Sequence, residues 1–268
     1  MNTYTELTMN TYIEQTLRSL KLGGLAREWR SVEYHDAEQY MRELLDIEMR
    51  ERESKRMSRM VKQAGFRVVK TLGDFIWKSG IDIPPSITRE GIVTAEFVER
   101  KENLVLMGSV GTGKTHLATA IAVSLAVRGR HVRFYTATGL ASMLQEKNQK
   151  TQLSSFLNSL KKVELIVLDE IGFITLHKDA AELLFQVVSE CYEQKSLIIT
   201  SNLEFSQWNT VFGDNKLTAA LIDRLIHHSH IVVFSGPGHR LEESMRRQKP
   251  GSTQSRQALA GEKGGEAL

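Results

Sequence analysis

The sequence predicts an α/β fold, a central parallel β-sheet flanked by helices, preceded by a small all-α N-terminal domain. Three observations lead there. From Asn103 onward, short apolar runs alternate with helical segments. Those runs are continuously apolar, as strands buried on both faces must be. Before Asn103 the apolar residues recur at helical spacing instead, and Gly23-Gly24 and then Pro84-Pro85 interrupt them.

In chain order, Ile13, Leu17 and Leu20 share one helical face from Thr11 onward, and Gly23-Gly24 ends that run. Met1-Asn-Thr-Tyr4 recurs as Met9-Asn-Thr-Tyr12, which reads as a duplicated start region rather than a structural repeat. Leu25–Arg30 predicts a short second helix. Ala37–Ala64 predicts a long third one, with Tyr40, Leu44, Leu45, Met49, Met57, Met60 and Val61 on its apolar side. Pro84-Pro85 forbids a helix through the next stretch, where Phe75 and Trp77 are apolar anchors; core packing is the favoured reading of Trp77 over contact with an adenine ring. Five strands then follow: Leu104–Met107, His131–Tyr135, Leu165–Leu168, Ser196–Thr200 and His230–Phe234. The expected helices between them are His116–Val127, Gly139–Leu160, Asp179–Glu193, Phe205–Val211 and Lys216–His227. After Pro250 apolar periodicity is lost, which predicts a disordered tail.

Composition bounds the function. Of 268 residues, 41% are apolar and 25% charged, the balance of a soluble globular chain. The single Cys191 excludes an internal disulfide framework and suits a reducing cytosol; its helical setting reads as a buried small hydrophobe. No apolar run is long enough to cross a bilayer and the N-terminus lacks signal-peptide character, so a cytoplasmic protein without membrane partners is expected. A net charge of +3 is mild, so a basic partner-binding surface has to come from local clustering.

Such a cluster lies on the third helix. Between Glu48 and Lys70 eight cations stand against three acids. Arg50, Arg52, Lys55, Arg56, Arg59 and Lys62 are the candidates for contacting a DNA phosphate backbone. The competing reading is a solvated face laced with i,i+4 pairs such as Glu48–Arg52 and Glu51–Lys55.

The strongest signal is Gly108-Ser109-Val110-Gly111-Thr112-Gly113-Lys114-Thr115, with the spacing G-x-x-x-x-G-K-[ST] between a strand and a helix that begins near His116. Glycines there let backbone N–H groups approach phosphate oxygens, and the helix N-terminus adds partial positive charge. Lys114 can reach β- and γ-phosphates, and the Thr115 hydroxyl can ligate Mg²⁺. Asp169 and Glu170 close a buried strand, at the edge where open α/β sheets bind ligands. Asp169 can hold Mg²⁺ there, and Glu170 can orient and deprotonate a water for in-line attack. Asn202 ends another strand and can hold that water or donate to the γ-phosphate. Arg224 stands in a largely apolar helix, where an unpaired charge is costly. It reads either as a pair with Asp223 or another acid, or as an arginine finger for a neighbouring subunit. His227, His228 and His230 invite a metal site, but no acid or cysteine completes a coordination set nearby, so a strand of alternating residues is the better reading.

With G-S-V-G-T-G-K-T-H-L-A, V-L-D-E-I-G, I-I-T-S-N and L-I-D-R-L-I-H-H in this order, the sequence resembles the IstB-type AAA+ ATPases, helpers of insertion-sequence transposases and relatives of the DnaC helicase loaders. The resemblance covers roughly residues 10–245. It implies an AAA+ P-loop fold and an ATPase that uses ATP and Mg²⁺, oligomerises with ATP, binds duplex DNA and serves a cognate transposase in DNA transposition. It implies that Lys114 and Thr115 are the Walker A residues, Asp169 and Glu170 the Walker B pair, Asn202 sensor 1 and Arg224 the arginine finger. Arg240 aligns as a sensor 2 candidate, although its flanks depart from the family's wording. The expected organisation is a DNA- or partner-binding helical domain (1–66), a linker (67–100), an ATPase domain (101–245) and a tail (246–268). A DnaC-like loader of the replicative helicase is the alternative function. A small-molecule kinase is disfavoured by Glu170 beside Asp169 and by the lack of an arginine-rich lid. A non-hydrolysing adaptor is disfavoured by the intact Glu170.

Overall fold

A computed structural model describes residues 3–236. The first helix, α1 (Thr3–Ser19), starts eight residues before the expected one and takes in most of the duplicated M-N-T-Y stretch. Then come α2 (Gly23–Glu28), a 3₁₀ turn over Trp29–Ser31, and α3 (Ala37–Ala64). The side chain of Asp36 caps α3 by accepting from the Gln39 N–H, and Gly65 ends it with φ of 82°.

Gly23-Gly24 does more than break a helix. A Cβ on Gly24 would lie 2.8 Å from the Glu51 Cβ, so α2 can approach α3 only through a glycine. There the buried Glu48 accepts from the N–H of Gly24 at 2.9 Å and from Arg52 Nε at 2.8 Å. Burial pushes the Glu48 pKa up, but the hydrogen bonds from Arg52, Leu25 and Gly24 outweigh it and hold the carboxyl below its ordinary range.

The rest is a six-stranded sheet: β1 (Ile81–Asp82), β2 (Asn103–Gly108), β3 (Val132–Thr136), β4 (Leu165–Ile171), β5 (Ser196–Ser201) and β6 (Ser229–Phe234). Their order is β1-β6-β2-β5-β4-β3, all parallel except the β1–β6 pair. The two-residue β1 is absent from the sequence reading, because so short a strand has no periodicity to detect.

On one face, α6 (Lys114–Val127), α4 (Arg89–Thr94) and α5 (Glu96–Glu99) bury a core that includes Leu104, Leu117, Ile121 and Phe97. The other face is covered by α7 (Ala137–Gln149), α8 (Leu153–Leu160), α9 (Lys178–Cys191), α10 (Asn209–Phe212) and α11 (Asn215–Ile226), around Leu140, Leu184, Trp208 and Leu221. The helix expected over Gly139–Leu160 is therefore two, parted at Thr151, whose φ is 57°. The C-terminal half of α3 packs against α6 and β3. Trp77 packs against the first core, edge-on to Phe75, with the Arg89 guanidinium 4.5 Å from its ring. Cys191 is buried and burial pushes its thiol up to about 12, which suits packing and not nucleophilic chemistry. Among the described residues no helix is long and apolar enough to cross a membrane. The expected tail and Arg240 lie outside the described residues.

Candidate nucleotide site

Three neighbouring strands, β2, β5 and β4, end at one edge of the sheet, and their next residues build the site. β2 leads into the glycine-rich loop. Gly108 has φ of 137°, and a Cβ there would fall 2.1 Å from the Phe234 carbonyl oxygen of β6. Gly113 has φ of 107° and opens α6. Any other residue at Gly108 would push the loop off the sheet.

The Lys114 side chain is buried, its Nζ donating to the carbonyls of Gly108 at 2.6 Å and Ser109 at 2.7 Å. Burial lowers its pKa to about 8, against a smaller opposing pull from Asp169. Asp169 is buried at the end of β4, where one oxygen accepts from Thr115 Oγ1 at 2.8 Å and from Thr200 Oγ1 at 2.6 Å. Thr115 itself is exposed. An exposed hydroxyl beside a fixed carboxylate is a hard-oxygen donor pair, the kind Mg²⁺ takes while keeping most of its waters.

Glu170 follows with φ of 65°, at an irregularity where the β4–β5 register shifts between Leu168 and Ile171. A non-glycine residue held left-handed within a strand is a strained position, and it breaks the alternation that would otherwise set its side chain. The Thr200 hydroxyl fixes the turn by accepting from the Glu170 N–H at 2.9 Å. Asn202, just past β5, has a buried Oδ1 with no hydrogen-bond partner among the described residues, which is rare enough to ask for a ligand or an ordered water. It lies against Gly172, where a Cβ would come within 2.5 Å of that same oxygen.

These residues line one cleft of about 590 Å³, large enough for a nucleoside triphosphate. Val110–His116, Asp169, Glu170 and Asn202 share it. His116 stacks edge-on with Phe75 and meets the Thr71 carbonyl at 3.3 Å. Arg224 is not among the lining residues. It is half-buried on α11, with its guanidinium 4.7 Å from the Phe185 ring and Nη1 donating to the Ala220 carbonyl at 3.1 Å. Among the described residues it forms no ion pair with Asp223 or another acid, so a ring takes the place expected for a carboxylate.

The cleft also holds residues that the sequence reading missed. Thr200, two residues before Asn202, supplies two of the hydrogen bonds that shape the acidic pair. Arg67, Val68, Lys70, Phe75 and Ile76, from the stretch after α3, form another wall. Arg67 and Lys70, two of the eight cations between Glu48 and Lys70, lie beyond the end of α3 and line the cleft instead; the six candidates on α3 itself remain. Of these, Arg52 and Lys55 form the two expected i,i+4 pairs, with Glu48 and Glu51, both at 2.8 Å. Arg56, Arg59 and Lys62 are exposed, each three residues from the next along the helix. Among the described residues no ion pair engages them.

The histidines separate. His230 is buried on β6, bonded to Ser86 Oγ at 2.8 Å and Glu102 Oε2 at 2.9 Å. His227 and His228 lie just past α11, not in a strand, and an acid does stand beside them. Glu193, 35 residues before His228 in the chain, places Oε1 3.6 Å from His228 Nε2. That corrects the expectation that nothing nearby completes the set.

The family described as IstB-like ATP binding protein matches residues 15–248. An ATP-binding protein of insertion sequence IS5376 from Geobacillus stearothermophilus is 32% identical over 241 residues, 88% of this chain and 96% of that protein. One of insertion sequence IS21 from Pseudomonas aeruginosa is 38% identical over 201 residues, 74% and 75% of the two chains. Among solved structures, AMPPCP-bound DnaA from Aquifex aeolicus superposes with a TM-score of 0.52 at 23% identity, over 67% of this chain and only 55% of that one. DnaI superposes with a TM-score of 0.51 at 21% identity, over 62% and 91%. These two likenesses concern the fold alone.

Proposed function

This chain belongs to the IstB-like ATP-binding protein family and is an AAA+ ATPase, and we propose that it assembles on duplex DNA with ATP and recruits or stimulates a transposase. The insertion-sequence origin of its relatives supports the setting. The observation that carries the chemistry is the convergence of the glycine loop, Asp169, Glu170 and Asn202 on one cleft. In this reading, Lys114 and the backbone of Gly108–Thr115 bind the triphosphate. Thr115 and Asp169 would hold Mg²⁺, which supplies charge neutralisation at the phosphate oxygens when bound. Glu170 takes a proton from the attacking water, and Asn202, with its unused acceptor, positions that water. Arg224 reaches the cleft of a neighbouring copy. Residues 1–66 act as the DNA- or partner-binding part, 67–100 as a linker, and 101–245 as the ATPase unit.

The direct test is ATPase rate without DNA, with single strands and with duplex, followed by sizing of the protein–DNA complex with and without ATP. Duplex stimulation and an ATP-dependent larger species are expected; a rate and size indifferent to DNA would overturn the DNA part of the proposal.

The exposed stripe on α3 gives a sharper version. Replacing Arg56, Arg59 and Lys62 with Gln should weaken duplex binding and flatten the log–log salt dependence by about one unit per lost phosphate contact. An unchanged slope would return these residues to a solvated face.

Lys114 adds a pH dependence. At about 8, its pKa leaves the amine mostly neutral at pH 9 before ATP binds. Phosphate favours the ammonium, so ATP binding should take up close to one proton at pH 9, on the order of none at pH 6.5, and weaken as pH rises through 8. Calorimetry in buffers of different ionisation enthalpy reads this directly. Equal apparent enthalpies at pH 9 would remove the proton from Lys114.

A further inference from the structure

We propose that Glu193, His227 and His228 form a binding site for a transition-metal dication of the zinc class, separate from the nucleotide cleft. The site arises where two element ends meet. Helix α9 ends at Cys191, and Glu193 turns the chain towards β5 with φ of 55°, a conformation that side-chain-bearing residues seldom adopt. Helix α11 ends at Ile226, and His227 and His228 follow at once. One ligand atom from each of the three residues lies within 4.8 Å of the other two. Around a tetrahedral zinc ion with bonds of about 2.0–2.2 Å, ligand atoms sit about 3.4 Å apart, so small side-chain rotations close the set.

The immediate surroundings suit metal binding as well. Tyr192 OH pairs with His227 Nδ1 at 3.0 Å, which fixes the ring and leaves Nε2 for an ion. The His227 and His228 rings stand 4.2 Å apart, edge to face. All three side chains are exposed, so an ion can enter and water can complete its coordination. Two imidazoles and one carboxylate favour Zn²⁺, Co²⁺, Ni²⁺ or Cu²⁺ over the hard ions Mg²⁺ and Ca²⁺, which prefer oxygen. None of the three lines the nucleotide cleft. The ion would pin the end of α11 to the turn after α9, the helix pair on which Arg224 rests against Phe185.

The test uses the full chain, free of nucleotide and of any histidine tag, titrated with ZnCl₂ and separately with CoCl₂. One strong equivalent of zinc per chain is expected, with a visible cobalt spectrum of a four-coordinate site and a rise in Tm on adding zinc. His227→Ala and His228→Ala should each weaken zinc at least about tenfold and abolish the Tm rise; Tyr192→Phe should weaken it about 10–100-fold by freeing the ring. Circular dichroism confirms that these surface variants fold. Zinc uptake unchanged in the double histidine variant, no uptake by the parent protein at about 100 μM, or equal affinity for Mg²⁺ would each overturn the site. None of these outcomes depends on ATP hydrolysis, so the two proposals fail separately.

Discussion

Glu170→Gln is expected to bind ATP at near-parental affinity and to turn it over about 10²–10⁴-fold more slowly, the usual worth of a positioned general base. The amide keeps the size and hydrogen-bonding shape of the carboxylate but cannot take the proton from water. The fold should not suffer, because the Glu170 backbone is held by its own N–H bond to Thr200 and not by the carboxylate. Lys114→Ala gives the contrasting result. It removes the buried ammonium between the loop carbonyls, and ATP binding itself should fall away. Equilibrium binding and steady-state turnover on both variants separate the two roles. Parental hydrolysis by Glu170→Gln would move the base elsewhere in the cleft.

Arg224→Ala should retain ATP binding but lose about 10³–10⁵ in hydrolysis, because charge on the γ-phosphoryl oxygens would go unanswered in the transition state. The residue does not line the cleft of its own chain, and Phe185 holds it in place without neutralising it. An arginine bound to a ring and not to an acid keeps its charge available to a neighbouring copy. Mixing Arg224→Ala with Lys114→Ala tests the neighbour directly. Where the intact loop of one variant meets the intact arginine of the other, activity should return in part. If co-assembly is verified by sizing and no ratio restores activity, Arg224 acts within its own chain, as a support for α9.

The succession of strands and helices along the chain and the motifs of the candidate site were legible because both depend on local pattern. Leu104–Met107 and Leu165–Leu168 are continuously apolar, as strands covered on both faces must be, and the loop glycines announce a backbone that needs positive φ. Alternation of strand and helix then forces parallel pairing. The excess of cations on α3 was legible too, but only the structure set Arg56, Arg59 and Lys62 apart, by pairing Arg52 and Lys55 with Glu48 and Glu51.

Other features were decided by contacts between distant segments, which no local pattern encodes. Arg67 and Lys70 looked like part of a basic helix, yet Gly65 stops α3 and the chain beyond it turns to the cleft of the glycine-rich loop. Arg224 needed a partner, and the sequence offered the adjacent Asp223; the partner is Phe185, 39 residues away, because α9 and α11 pack together. Glu193 joins two histidines only because the ends of α9 and α11 meet. The sequence by itself determined which residues can carry a charge, turn a glycine loop or bury a strand, because those are properties of single side chains and short spacings. Only the tertiary structure decided which of them face one another, because that follows from how helices and strands pack across the sheet.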